Sequence, residues 1–76
     1  MNVRAKYEKI ERMKKYTIDE VAELMEMDIQ TVIEWRTLGA LNHERDRVYK
    51  LNCHSDGERY YVFGKDLAQF LYDINL

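Results

Sequence analysis

Three side chains in this 76-residue sequence could ligate a metal or act as a nucleophile: His43, Cys53 and His54. Their spacing matches no standard zinc site, and a fourth ligand is missing. Cys53 and His54 are neighbours, and neighbouring side chains in a strand or loop point opposite ways, so they do not form a thiolate–imidazole pair. Asp19, Glu20 and Glu23 resemble a carboxylate cluster, but helix capping and solvation account for them. Met13, Met25 and Met27 read as gap fillers in a core. The expectation is therefore a binding protein and not an enzyme, with no metal, no cofactor and no small-molecule substrate.

Charge is the next source of chemistry. The formal net charge is −2, which argues against binding nucleic acid through bulk charge alone. Its distribution says more. Residues 1–16 carry six cations against two carboxylates, a net +4. Residues 17–41 carry six carboxylates against Arg36, a net −5. A basic arm thus precedes an acidic segment, and residues 42–62 balance Arg45, Arg47, Lys50 and Arg59 against four acids.

At this length one small domain with a thin core is expected. With 46% hydrophobic and 34% charged residues, the balance is that of a folded chain. A single cysteine excludes an internal disulfide, no apolar run is long enough to span a membrane, and the N-terminus lacks a signal-peptide core. A cytoplasmic location is the expectation.

Val3, Tyr7, Ile10 and Met13 recur at helical spacing, and either a short basic helix or an arm that orders on a partner fits. We place the boundary of this arm at residue 16 and the main domain at 17–76. Thr17 and Glu20 make a capping box that starts a helix running through Met25 and stopping near Glu26-Met27. Asp28 is placed to cap a second helix, with Val32, Trp35 and Leu38 as its apolar stripe and Ile29 and Ile33 beside them. Gly39 is placed to end it. Two short helices about three residues apart make a helix-turn-helix. Arg47–Leu51 and Arg59–Phe63 alternate like strands and form a hairpin over a 52–58 loop, with Tyr61 and Phe63 turned inward and Tyr60 outward. Leu67, Phe70, Leu71 and Ile74 mark a closing helix. The fold class expected is mainly α with a small β-hairpin, a winged helix-turn-helix.

Thr17-Ile18-Asp19-Glu20-Val21-Ala22-Glu23-Leu24-Met25 resembles the opening of the MerR-like and phage excisionase-type DNA-binding domains. Thr31-Val32, Trp35 and Gly39-Ala40-Leu41 are similar to that family's second helix and the leucine after it. Gly57-Glu58-Arg59-Tyr60-Tyr61, Asp66-Leu67 and Phe70-Leu71 are similar to its wing strand and closing helix. The resemblance covers residues 16–72. It implies double-stranded DNA as partner, with the second helix in the major groove and the wing on the backbone or minor groove. Gln30, Thr31 and Glu34 would then meet base edges: Gln pairs with adenine, Thr touches a thymine methyl or a phosphate, and Glu accepts from cytosine. Arg36 and Thr37 would reach phosphates. Arg45, Arg47, Lys50 and Arg59, with Tyr60, would serve the wing and set affinity and register. The resemblance further implies an excisionase-like role in recombination or control of transcription in a phage or mobile element. It also implies self-association on DNA and an integrase partner. Three positions depart from the family: Glu26 replaces the turn glycine, Ile29 a polar residue, and Glu34 a common Arg or Lys. Two rivals stay open. One is a winged helix reused for protein docking, and the other is a DNA-packaging or replication accessory domain.

Overall fold

The computed structural model describes residues 8–74. Along them run β1 (Lys15–Thr17), α1 (Ile18–Met25), α2 (Ile29–Thr37), β2 (Ala40–Leu41), β3 (Val48–Tyr49), β4 (His54–Ser55), β5 (Tyr60–Phe63) and α3 (Gly64–Asp73). The described residues thus combine three helices with small antiparallel sheets, and none of their helices is long and apolar enough to cross a membrane.

The start of α1 is set locally. Thr17 Oγ1 accepts from the Glu20 amide at 3.2 Å, and Glu20 Oε1 accepts from the Thr17 amide at 3.0 Å. Val21, Ala22 and Met25 form its buried face. The chain then turns at Glu26, which adopts the left-handed conformation at φ 54°. The turn is thus made by a residue with a Cβ, at a cost of ~1–2 kcal/mol. Asp28 Oδ1 accepts from the Gln30 amide at 2.9 Å and starts α2. Val32 and Trp35 face the core. Gly39, at φ 86°, carries the chain away from the helix, and a Cβ there would lie 2.6 Å from the Tyr49 carbonyl oxygen.

Leu38 departs from the expected stripe: it is 72% exposed. A three-residue step in an α-helix falls about 60° short of a full turn, so Val32, Trp35 and Leu38 drift round the helix and Leu38 leaves the buried arc. Ile29 and Ile33 stand off the opposite edge of that arc. Ile29 is 42% exposed and Ile33 is half-buried.

The strand pairing also differs from the expectation. Arg47–Leu51 does not pair with Arg59–Phe63. Instead β3 pairs with β2, with Leu41 opposite Val48, while β5 pairs with β4, with His54 opposite Tyr61 and Ser55 opposite Tyr60. The short connection 56–59 is what selects β4. Asp56 Oδ1 accepts from the Glu58 and Arg59 amides, each at 3.0 Å, and Gly57 takes φ 99°, so the chain reverses at once. Beyond β3 the chain leaves the ribbon: Leu51 is buried and its amide donates to the Trp35 carbonyl at 2.9 Å.

β5 is the middle strand, flanked by β4 and by β1, whose Tyr16 lies opposite Val62. Its core residue is Val62, at 0% exposure, whereas Tyr61 and Phe63 are half-buried on the other face of the sheet. The expected inward pair is therefore turned out. A period-two pattern leaves the choice of face open by one residue, and both faces of this strand carry apolar side chains.

Ahead of β1, the helical spacing of the basic segment does not continue through residues 10–14, which form a turn. Ile10 and Tyr16 join the core, and Met13 is 91% exposed. Tyr16 Oη accepts from the Glu11 amide at 2.9 Å. The carbonyls of Lys14 and Arg12 accept from the Gly64 and Lys65 amides at 2.8 and 3.0 Å. No side chain caps α3, so these carbonyls take up two of its orphan amides. Val3 and Tyr7, the first half of the expected stripe, lie outside the described residues. In the interior, Trp35 packs on Phe70 with ring centroids 5.1 Å apart, in a core that also contains Leu67, Leu71 and Met25.

Candidate nucleic-acid interface

With about 100° between successive residues, α2 turns Gln30, Glu34 and Thr37 directly away from the core. All three are exposed. Thr37 Oγ1 donates to the Ile33 carbonyl at 3.0 Å, so its hydroxyl proton is committed to the helix. Thr31 does not share this face. It is half-buried, on the flank of the helix opposite Ile29 and Ile33.

Beside the outer face of α2 lies an open cleft of about 440 Å³. One wall is α2, through Ile29, Ile33 and Arg36. The end of the β4–β5 hairpin also lines it, through Glu58, Arg59 and Tyr60, as do Thr17, Ile18 and Asp19. Arg36 links helix and hairpin: its guanidinium carbon sits 4.0 Å from the Tyr60 ring centroid. Arg36 Nε is buried without a hydrogen-bond partner. The aromatic face takes the place of water on one side of the cation, an interaction of ~0.5–2 kcal/mol. Tyr60 is thus held outward, as expected, by a contact far along the chain. Arg36 also lies near Cys53. Burial pushes that half-buried thiol up, and the guanidinium only partly opposes it, so Cys53 stays neutral.

The remaining expected contacts do not gather here. Arg45, Arg47 and Lys50 belong to the β2–β3 ribbon and its loop, not to the hairpin that carries Arg59. Arg45 takes φ 60° in a loop closed by Asn42, whose Nδ2 donates to Asp46 Oδ1 at 2.6 Å. The structure therefore assembles Arg36, Arg59 and Tyr60 at the cleft and Gln30, Glu34 and Thr37 on the adjoining helix face. It places three cations on a separate ribbon.

The acids divide too. Asp19 and Glu58 line the cleft beside Arg36 and Arg59. Glu20, Glu23 and Glu26 border a different depression, shared with Lys9, Lys14, Tyr16 and Leu24. The Thr17 amide holds the Glu20 carboxyl below the usual carboxylate range. The Arg59 and Glu58 amides do the same for Asp56 at the hairpin turn.

Two features were not legible as functional in the sequence. Ile29 and Ile33 read there as core, yet they border the cleft. On the outer face of the sheet, His54, Tyr61 and Phe63 cluster with ring centroids 5.5–5.7 Å apart. Lys15 lies 4.9 Å from the Tyr61 ring, and His54 Nε2 is 3.9 Å from Asp66 Oδ2. Among the described residues no group of three or more His, Cys, Asp or Glu side chains is placed to hold a metal ion. No protein-family model, curated protein or solved structure matches the chain.

Proposed function

We propose that this chain binds double-stranded DNA as a winged helix-turn-helix of the excisionase-like or MerR-like kind. In this reading α2 enters the major groove and the β4–β5 hairpin is the wing. The observation that carries it is the shared cleft: the Ile29, Ile33 and Arg36 edge of α2, next to its polar outer face, and the hairpin end border one open space, bridged by Arg36 on Tyr60. A helix with polar side chains on its free face suits the major groove, and an adjoining hairpin suits the phosphate backbone. Gln30 and Glu34 would meet base edges, and Arg36 and Arg59 phosphates. The role is architectural or regulatory, in directing excision or in controlling transcription, with further copies of the chain and an integrase as partners on the DNA.

Fluorescence polarisation with duplex DNA over a salt series tests this. Neutralising two to four phosphates gives a slope of log affinity against log salt of roughly −2 to −4. Protein docking is the second reading. It is favoured by the carboxylates of Asp19 and Glu58 in the cleft and of Glu34 beside it. It predicts no binding to any duplex.

A further inference from the structure

We infer that Ile29 and Ile33 are specificity-determining residues that recognise the 5-methyl group of thymine, so that the preferred site is rich in A·T pairs beneath α2. The inference rests on the duplex-binding reading and adds to it what that face reads. Ile29 is the first residue of α2 and is 42% exposed; Ile33 is half-buried on the same edge. Both line the cleft, off the buried arc occupied by Val32 and Trp35. Their free surface is apolar, at a place where a groove-inserted helix meets base edges. The one apolar group that B-DNA offers in the major groove is the thymine methyl.

Gln30 strengthens the assignment. It lies between the two isoleucines in sequence and three residues before Ile33, which makes Gln30 and Ile33 surface neighbours about 5–6 Å apart. Successive base pairs are about 3.4 Å apart, so the two side chains span one or two pairs. A glutamine suits the N6 and N7 edge of adenine, and an isoleucine beside it suits a thymine methyl. The two chemistries converge on A·T. Glu34, on the next exposed position, disfavours the acceptor-only edge of guanine at its own pair.

The test replaces thymine by deoxyuridine, one position at a time, in a duplex selected from a random pool by the full chain. The substitution removes the methyl and leaves the hydrogen-bond pattern intact. At one or two positions affinity should fall about fourfold, the worth of one buried methyl-sized group. Ile33→Ala, checked for folding by circular dichroism, should bind thymine and uracil duplexes equally at that position. Should Ile33→Ala unfold, Ile29→Ala takes its place in the comparison. Salt-sensitive binding that is indifferent to every uracil overturns the inference and leaves the DNA-binding reading standing. A uracil effect that persists in the folded isoleucine variants also overturns it. Failure to bind any duplex overturns both and points to a protein partner.

Discussion

Gly64→Ala separates two ways in which residues 10–14 can relate to the rest of the chain. Gly64 is the first residue of α3, and in an isolated helix alanine is favoured over glycine by ~1 kcal/mol. If the preceding segment were only loosely attached, the substitution would stabilise the protein. In the structure a Cβ at Gly64 would collide with the Glu11 carbonyl oxygen, and would lie 2.7 Å from the Glu11 carbonyl carbon and 3.0 Å from the Arg12 Cα. These are backbone atoms, so no rotamer change relieves them. The segment must shift, which weakens the bonds from the Gly64 and Lys65 amides to Lys14 and Arg12. A lost helix cap costs ~1 kcal/mol, and overpacking a further ~1–3 kcal/mol. Set against the ~1 kcal/mol gain in helix propensity, the net loss is ~1–3 kcal/mol. For a chain of this size that lowers Tm by roughly 5–20 °C. The assay is a thermal melt followed by circular dichroism at 222 nm, a helix band. A Tm equal to or above the parent's would refute the seating of residues 10–14 on α3.

Trp35→Ala should cost ~3–5 kcal/mol, because it empties the space between α2 and Phe70, and a melt within a few degrees of the parent would contradict this. Gln30→Ala should lower affinity for the preferred duplex by ~1–3 kcal/mol and hardly alter binding to random duplex, whereas Arg59→Ala should lower both alike. Four polarisation titrations at one salt concentration decide it, and equal losses for Gln30→Ala would deny sequence reading to α2. Acid should destabilise the fold in a defined sense. Glu20 and Asp56 have folded-state pKa values below their ordinary ones, so their contribution is present above the carboxylate range and lost as pH falls through it. Tm should therefore drop below roughly pH 4, and Glu20→Gln should flatten that dependence. An unchanged acid profile in Glu20→Gln would remove the capping carboxylate from the account.

The two helix starts were legible because their causes are local. Thr17 with Glu20 and Asp28 with Gln30 bond across three and two residues, so composition and spacing alone determine them. Gly39 belongs to the same class, since a backbone angle is asked of one residue at a time, whereas the left-handed turn at Glu26 is not asked for by that residue's type. The strands were not determined in this way. Arg47–Leu51 and Arg59–Phe63 have the right content to pair, but the partner of a short strand is chosen by the turn that closes first, and Asp56 closes against β4. Nor does alternation say which of Tyr61 and Val62 faces inward, because a shift of one residue reverses the answer. The candidate site falls on the same divide. Gln30 and Glu34 can be placed on a free helix face from the wheel of α2. The cleft, the stacking of Arg36 on Tyr60, the exposure of Ile29 and the exile of Arg45, Arg47 and Lys50 to a second ribbon come from contacts between distant parts of the chain. Such contacts follow from how the whole core closes over Trp35, Val62 and Leu67, and no short window of sequence contains that information.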